Sequence, residues 1–196
     1  RLLSTLDRFG LRENTLLVFT SDNGPAITRR HPHGSAGPLR DKKGFLSEGG
    51  IRVPGIIRWP GHTQPGQTCD TPVCGVDLLP TLCAVAGVDV PSDRTIDGTS
   101  ILPIFDDSEI NRKTPLYWHF NFARGPSKVA MRDGNWKILA TLTGPELRPT
   151  GHVTRENQEI IKAAELAEFE LYHLGKDIAE ENNLAASEPE QLEKMT

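Results

Sequence analysis

The chain opens with apolar residues at helical spacing. They are Leu2, Leu3, Leu6 and Phe9, and Gly10 follows them where a left-handed cap would end a helix. The pattern therefore predicts a helix that ends at Gly10. Because no N-capping residue precedes this helix, we expect the chain to be a piece of a longer protein.

Two short apolar runs predict strands. The run "TLLVFT" at residues 15–20 is continuous rather than alternating, which is typical of a strand covered on both faces in a parallel sheet. The run "GIIRW" at residues 55–59 lies between two prolines that leave its middle free to pair. A second helix is predicted over residues 77–87, with Asp77 as its cap and Gly87 at its end. This order favours an α/β layer.

From about residue 88 the composition changes. Residues 88–115 are rich in proline, aspartate and serine and predict a surface connection. Short strands are then predicted at 116–120, 128–132, 135–140 and 170–174, with an Asp133-Gly134 hairpin turn and an amphipathic helix over 156–170. We therefore expect two domains. Residues 1–110 would form an α/β domain, and residues 111–196 a smaller α+β subdomain with an antiparallel sheet.

Composition narrows the class of protein. The 196 residues carry a net charge of -4, which gives no electrostatic case for nucleic-acid binding. No apolar run approaches the roughly 20 residues of a membrane span. The three cysteines, Cys69, Cys74 and Cys83, lack the CxxC pairs of a zinc site. We expect these cysteines to be buried and to pack as small hydrophobic residues. A disulfide between Cys69 and Cys74 is the alternative.

Asp22 and Asn23 end the first apolar run. Ligands of α/β sheets collect at the carboxyl ends of strands, where these side chains would project. A carboxylate beside an amide oxygen offers two hard donors for Ca²⁺ or Mg²⁺, although two donors are too few for a complete site. A plain Asp-Asn-Gly turn is the alternative.

A second segment combines lysines with paired glycines. In "KKGFLSEGGIRVPGIIRWPG", at residues 42–61, a lysine ammonium can meet an anionic oxygen, and Gly49-Gly50 allows close backbone approach. By itself this segment would be a solvated basic turn in most proteins.

Together and in this order, the motifs resemble the sulfatase family, the sulfate-ester hydrolases of the alkaline-phosphatase superfamily. The matching stretches are "NTLLVFTSDNG", "KGFLSEGGIRVPGIIRWPG", "VDLLPTL", "IDGTSILP", "AMRDGNWKIL" and "ELYHLGKDIAEENNLA". The resemblance implies the C-terminal part of an alkaline-phosphatase-like mixed sheet flanked by helices, followed by the antiparallel subdomain. Within the family, it resembles the arylsulfatase and N-acetylgalactosamine-6-sulfatase group.

The resemblance also implies roles for individual residues. Asp22 and Asn23 would be ligands of a calcium ion, with Mg²⁺ as the alternative, and Lys43 would contact the sulfate group. Lys42 is a neighbour that could take that role, although the spacing to Glu48 favours Lys43. The residues Glu48, Gly49, Gly50 and Arg52 would serve structure.

The family's nucleophile is a hydrated formylglycine made within a C/S-x-P-S/T-R motif. No cysteine of this chain fits that motif. The paired aspartates, lysine and histidines of the family's N-terminal part are missing too. The resemblance therefore implies that this chain is inactive alone.

Several other side chains are candidates for substrate contact. His31 and His33 lie between the metal-ligand strand and the lysine, together with Arg29 and Arg30, and a mobile solvated loop is the alternative. His119 could join Trp118 and Phe122 in a rim that stacks on a sugar ring, although aromatic residues on a short strand are more often core.

Three functions remain open from the sequence. The first is a sulfatase acting on sulfated sugars, and the second is a phosphatase or phosphodiesterase of the same superfamily. The third is a non-enzymatic interaction module, which could form a homodimer through exposed strand edges. The sequence does not indicate the compartment.

Overall fold

The computed structural model describes residues 1–30, 32–121, 126–144 and 153–196. It divides the chain into two compact units. The first unit comprises residues 1–22 and 54–114, and the second comprises residues 23–53 and 115–196. The segment 23–53 thus groups with the C-terminal residues, whereas the sequence placed it in a domain over 1–110. Compact units need not coincide with family domains, so the predicted boundary near residue 110 stays a prediction.

Five α-helices and six strands are described. The helices are α1 (Leu2–Arg8), α2 (Glu48–Ile51), α3 (Leu78–Ala86), α4 (Gln158–Lys162) and α5 (Pro189–Met195). The strands are β1 (Leu17–Phe19), β2 (Ile56–Arg58), β3 (Leu116–Phe120), β4 (Lys128–Asp133), β5 (Trp136–Thr143) and β6 (Glu165–His173). In the described parts of the chain, every helix is too short or too polar to span a membrane.

The first unit confirms both predicted helices. Gly10 follows α1 with φ +66°, and Gly87 follows α3 with φ +66°, as left-handed caps require. The strands β1 and β2 also form, but they pair antiparallel with each other, with Val18 opposite Ile57. Phe19 and Ile56 are more than half exposed. The expected burial of β1 on both faces is therefore not found, because the described part of this unit places no layer over these side chains. Dimerisation through this edge stays a prediction.

Asp77 anchors the first unit in a way that the sequence did not predict. Its carboxylate makes no capping bond to α3 and instead accepts hydrogen bonds from Arg112 (2.7 and 2.9 Å) and from the Cys74 and Thr99 N–H groups. Burial alone would raise the pKa of Asp77, but these bonds hold that pKa below its usual value. Asp77 thus links the start of α3 to the segment around Thr99.

The second unit is built on a four-stranded antiparallel sheet. Its strand order is β3-β4-β5-β6, so each strand pairs with its neighbour in sequence. The hairpin predicted at Asp133-Gly134 is confirmed, since Asp133 pairs with Trp136 and Gly134 has φ +55°. This meander is the antiparallel subdomain that the sequence predicted.

The helix predicted over residues 156–170 is largely wrong. Only Gln158–Lys162 is helical, and the residues from Glu165 form β6. This strand pairs with β5, with Leu166 opposite Leu142 and Leu171 opposite Ile138. Leu171 is fully buried by this pairing. The alanines and glutamates of this stretch favour a helix locally, but tertiary burial on the sheet overrides that preference.

Each face of the sheet carries its own core. On one face Ala130, Leu139 and Tyr172 contact Leu46, and Trp118 packs against this cluster. The other face carries Val129, Ala140 and Leu142 and also Ile138 and Leu171, against which Met195 of α5 packs. Trp118 therefore contributes to packing, which was the alternative to a sugar-binding rim.

The cysteines differ from expectation. All three are free thiols, so the Cys69–Cys74 disulfide is not formed. Cys74 and Cys83 are partly buried, whereas Cys69 is exposed. The prediction of small buried hydrophobic residues is therefore wrong for Cys69.

Candidate functional site

Two sequence motifs meet in the second unit through their backbones. The Gly24 N–H donates a hydrogen bond to the Gly50 carbonyl (2.8 Å), and the Lys43 N–H donates to the Pro25 carbonyl (3.2 Å). Asn23 directly precedes this contact, and Lys43 takes part in it. The strand-end motif and the lysine-to-glycine motif are therefore joined, although Asn23 and Lys43 are 20 positions apart in the sequence.

The glycines make this contact possible. A Cβ atom on Gly24 would lie 1.9 Å from the Gly49 carbonyl oxygen, and one on Gly49 would lie 2.4 Å from the Arg40 carbonyl oxygen. A Cβ on Gly50 would lie 2.1 Å from the Phe45 carbonyl oxygen. All three obstacles are backbone atoms, which a rotamer change cannot move. The glycines thus serve backbone-to-backbone packing, in keeping with the close backbone approach that the sequence predicted for Gly49-Gly50.

We expect Gly24→Ala to destabilise the second unit by about 2 kcal/mol or more, because the added methyl group must displace backbone. The free energy of unfolding from urea denaturation measures this loss. Gly55→Ala is the matched control, since a Cβ there meets no atom within 4 Å. Equal losses in the two variants would show that the Gly24 contact is not tight.

A buried charge cluster, Glu48, Lys137 and Glu180, holds α2 on the sheet. The Lys137 ammonium lies 2.9 Å from Glu48 Oε1 and 2.9 Å from Glu180 Oε1. The relative exposure is 0% for Lys137, 2% for Glu48 and 1% for Glu180. The contact with Glu180 Oε1 is an ion pair. Glu180 Oε2 accepts the Glu48 N–H (2.7 Å).

Two further cations lie near this cluster. Arg52 and Arg132 lie 3.6 and 3.7 Å from Glu48 Oε2. Burial raises the pKa of Glu180, and the nearby Lys137 only partly offsets that effect. The role of Glu48 and Arg52 in the described residues is therefore structural, as the resemblance implied.

Arg40 binds the start of the segment 40–52, which includes α2, to the sheet. Its guanidinium donates to Glu170 (2.8 Å) and to the Tyr172 hydroxyl (2.6 Å), and Lys128 donates to Glu170 (2.8 Å). Burial would raise the pKa of Glu170, but the bonds from Lys128 and Arg40 lower it to about 2. Burial and the bond to Glu170 raise the pKa of Tyr172 to about 12. Both ends of the segment 40–52 are thus fixed to the sheet.

The candidate ligands are accessible. Asp22 is exposed and ends the first unit, Asn23 is partly exposed and begins the second, and Lys43 is exposed. Among the described residues, no group of three or more His, Cys, Asp or Glu side chains is arranged to hold a metal ion. The hard oxygens of Asp22 and Asn23 suit calcium in kind, but they are two of the six to eight ligands that calcium takes.

The three histidines that the sequence proposed for substrate contact differ in their positions. His33 is exposed, and both His31 and Phe122 lie outside the described residues. His119 pairs with Val129 on β3, so it points to the sheet face opposite to that of Trp118 and Leu46. Burial lowers the pKa of His119. This orientation does not bring His119 towards the Lys43 segment, and its substrate role stays a prediction.

Comparisons with known proteins agree with this arrangement of motifs. The Sulfatase family model matches residues 1–88. Steryl-sulfatase of Rattus norvegicus is 43% identical over 148 residues, which cover 71% of this chain and 26% of that protein. Arylsulfatase A of Homo sapiens is 34% identical over 211 aligned positions, which cover 99% of this chain and 39% of that protein.

The fold of the whole chain is also similar to that of a solved structure. The structure of BT4656 in complex with its substrate D-glucosamine-2-N,6-O-disulfate is 26% identical, with a TM-score of 0.71. It covers 100% of this chain, which in turn covers 36% of that protein. The chain therefore spans about two-fifths or less of the length of these relatives. Its motifs, its mixed α/β architecture and these matches together relate the chain to the sulfatase family.

Proposed function

We propose that this chain is part of a sulfuric ester hydrolase that acts on sulfated sugars. The observation that carries the proposal is the backbone contact that joins the Asn23–Pro25 turn to the Lys43–Gly50 segment. The sulfated glucosamine named as the substrate of BT4656 supports the substrate class. Because the chain is much shorter than its relatives, the activity is proposed for a full-length protein that includes these 196 residues.

Asp22 and Asn23 would hold the catalytic cation through their side-chain oxygens. Calcium is the expected ion and Mg²⁺ the alternative, because both prefer oxygen ligands. A bound cation would stabilise negative charge on the sulfate oxygens. We expect the remaining ligands from the other part of the full-length protein, because the family's paired aspartates are missing from this chain.

Lys43 would contact the sulfate group directly. Its backbone is fixed by the hydrogen bond to Pro25, while its side chain is exposed and can extend towards a bound ester. An ammonium group donates to the non-bridging oxygens and stabilises the charge that grows there as sulfur is attacked. Lys43 therefore supplies charge and position rather than a nucleophile.

The nucleophile would come from elsewhere. No cysteine or serine in the 196 residues fits the motif C/S-x-P-S/T-R that the family converts to formylglycine. We infer that the isolated chain releases no sulfate. The full-length protein would need both the modified nucleophile and the other metal ligands.

A comparison of two esters tests the proposal. We expect the full-length protein, produced with its nucleophile matured, to release sulfate from 4-nitrophenyl sulfate, and to stop when calcium is removed by a chelator. Calcium should restore the rate. Mass spectrometry of the nucleophile-bearing peptide verifies maturation. Faster hydrolysis of 4-nitrophenyl phosphate would favour the phosphatase alternative, and no ester hydrolysis by the mature protein would contradict the proposal.

A further inference from the structure

Positive charge is concentrated in one part of the second unit. Residues 23–53 contain six arginines and lysines but only two acidic residues, whereas the whole chain has 22 basic and 26 acidic residues. Arg40 and Arg52 are paired with carboxylates. The other four cations form no ion pair with the described residues, and they are Arg29, Arg30, Lys42 and Lys43.

These four cations lie on one closed loop, described over residues 25–30 and 32–43, which we call the basic loop. The Lys43 N–H bond to the Pro25 carbonyl joins its two ends. Its middle folds back, because a Cβ on Gly34 would lie 3.0 Å from Pro25 Cβ and 3.5 Å from Ile27 Cγ1. The arginines are therefore held on a short lobe between Asn23 and Lys43.

Unpaired cations on such a lobe repel one another. Arg29 and Arg30 are adjacent and exposed, and the loop supplies only Asp41 as a counter-charge, which Arg40 and Ser47 already contact. At physiological ionic strength the Debye length is about 8 Å, so charges on one small lobe still interact. A bound polyanion would relieve this repulsion, and guanidinium groups match sulfate and carboxylate oxygens in a bidentate way.

We propose that the basic loop binds anionic groups that flank the scissile sulfate, so that the protein prefers polysulfated polysaccharides to isolated sulfate esters. The inference rests on the proposed function, which puts the scissile sulfate at Lys43, one end of this loop. A substrate with a single anionic group would leave Arg29 and Arg30 without a ligand. A sulfated polysaccharide carries further sulfates or carboxylates a few ångströms away and would engage them.

A binding experiment on the 196-residue chain tests the loop without requiring catalysis. The probe is a fluorescently labelled chondroitin sulfate decasaccharide, followed by fluorescence anisotropy over a range of salt concentrations. We expect the double variant Arg29→Gln/Arg30→Gln to bind about tenfold more weakly at low salt. Its affinity should also depend less steeply on salt, because fewer charge contacts release counterions.

The matched control is Lys113→Gln/Lys176→Gln, which removes the same charge from two other exposed positions. We expect its affinity to stay within twofold of the wild type. An equal loss in both double variants would overturn the proposal, because bulk charge would then explain binding. A single-stranded oligonucleotide that bound as tightly as the decasaccharide would also overturn it.

Activity of the full-length protein separates this inference from the proposed function. Relative to 4-nitrophenyl sulfate, kcat/KM for the sulfated oligosaccharide should fall about tenfold in Arg29→Gln/Arg30→Gln, mainly through KM. Equal falls for both substrates would overturn the loop's role in selectivity and leave the hydrolase proposal intact. If the mature protein released no sulfate while loop-dependent binding persisted, the proposed function would fail alone.

Discussion

Replacing Lys43 with alanine is expected to lower kcat/KM for 4-nitrophenyl sulfate about 10²- to 10³-fold in the full-length protein. Loss of one preorganised donor to a developing oxyanion has a cost of this size. The backbone bond from the Lys43 N–H to Pro25 is kept in the variant, so the loop should remain closed. The effect should therefore fall on catalysis, while the urea unfolding curve stays within about 0.5 kcal/mol of the wild type.

Lys42→Ala is the comparison that decides which lysine contacts the sulfate. We expect it to cost less than tenfold with the same substrate. A larger loss in Lys42→Ala than in Lys43→Ala would assign the contact to Lys42. If both variants kept more than half of the activity, neither ammonium would stabilise the reacting sulfate, and the proposed role of this segment would be wrong.

Lys137→Ala is expected to destabilise the chain by about 3–5 kcal/mol. Removing Lys137 from this buried ionic cluster takes the nearest counter-charge from Glu180 and leaves Glu48 only its longer contacts with Arg52 and Arg132. The free energy of unfolding from urea denaturation measures the loss. Lys162→Ala is the control, because its ion pair with Glu159 has the same 2.9 Å length but lies exposed. That variant should lose at most about 0.5 kcal/mol.

A second variant keeps this prediction testable if Lys137→Ala does not fold. The triple change Lys137→Met, Glu48→Gln and Glu180→Gln removes the buried charges together, so it should recover part of the lost stability. Folding of Lys137→Ala with the stability of Lys162→Ala would contradict the account of the cluster as the anchor of α2. So would a triple variant less stable than Lys137→Ala.

The sequence predicted those parts of the fold that local interactions determine. The ends of α1 and α3 at Gly10 and Gly87, and the turn at Asp133-Gly134, depend on neighbouring residues alone and were confirmed. The helix predicted over 156–170 was wrong because pairing with β5, more than 20 residues away, decided the conformation of β6. Local propensity carries no information about such a partner.

The charge cluster was missed for the same reason. Glu48 lies 89 residues from Lys137 and 132 residues from Glu180. One signal was available, since Lys137 stands within an apolar run that forms the central strand β5. A lysine in such a place needs buried carboxylate partners. Which carboxylates they are required the tertiary structure.

The candidate site was predicted in part. The resemblance identified Asp22, Asn23 and Lys43, and the paired glycines indicated a close backbone approach, but the partner of that approach was not identified in advance. The structure identifies it as the Asn23–Pro25 turn. The rim suggested for Trp118 and His119 overlooked the alternation of β3, because neighbouring residues of a strand point to opposite faces.

The most direct test is a crystal structure of the full-length protein with calcium and inorganic sulfate. We predict that the oxygens of Asp22 and Asn23 lie about 2.3–2.6 Å from the cation. The Lys43 ammonium should lie about 2.8–3.2 Å from a sulfate oxygen. A cation bound without either residue, or a Lys43 ammonium more than about 6 Å from the sulfate, beyond the reach of any hydrogen bond, would contradict the proposed site.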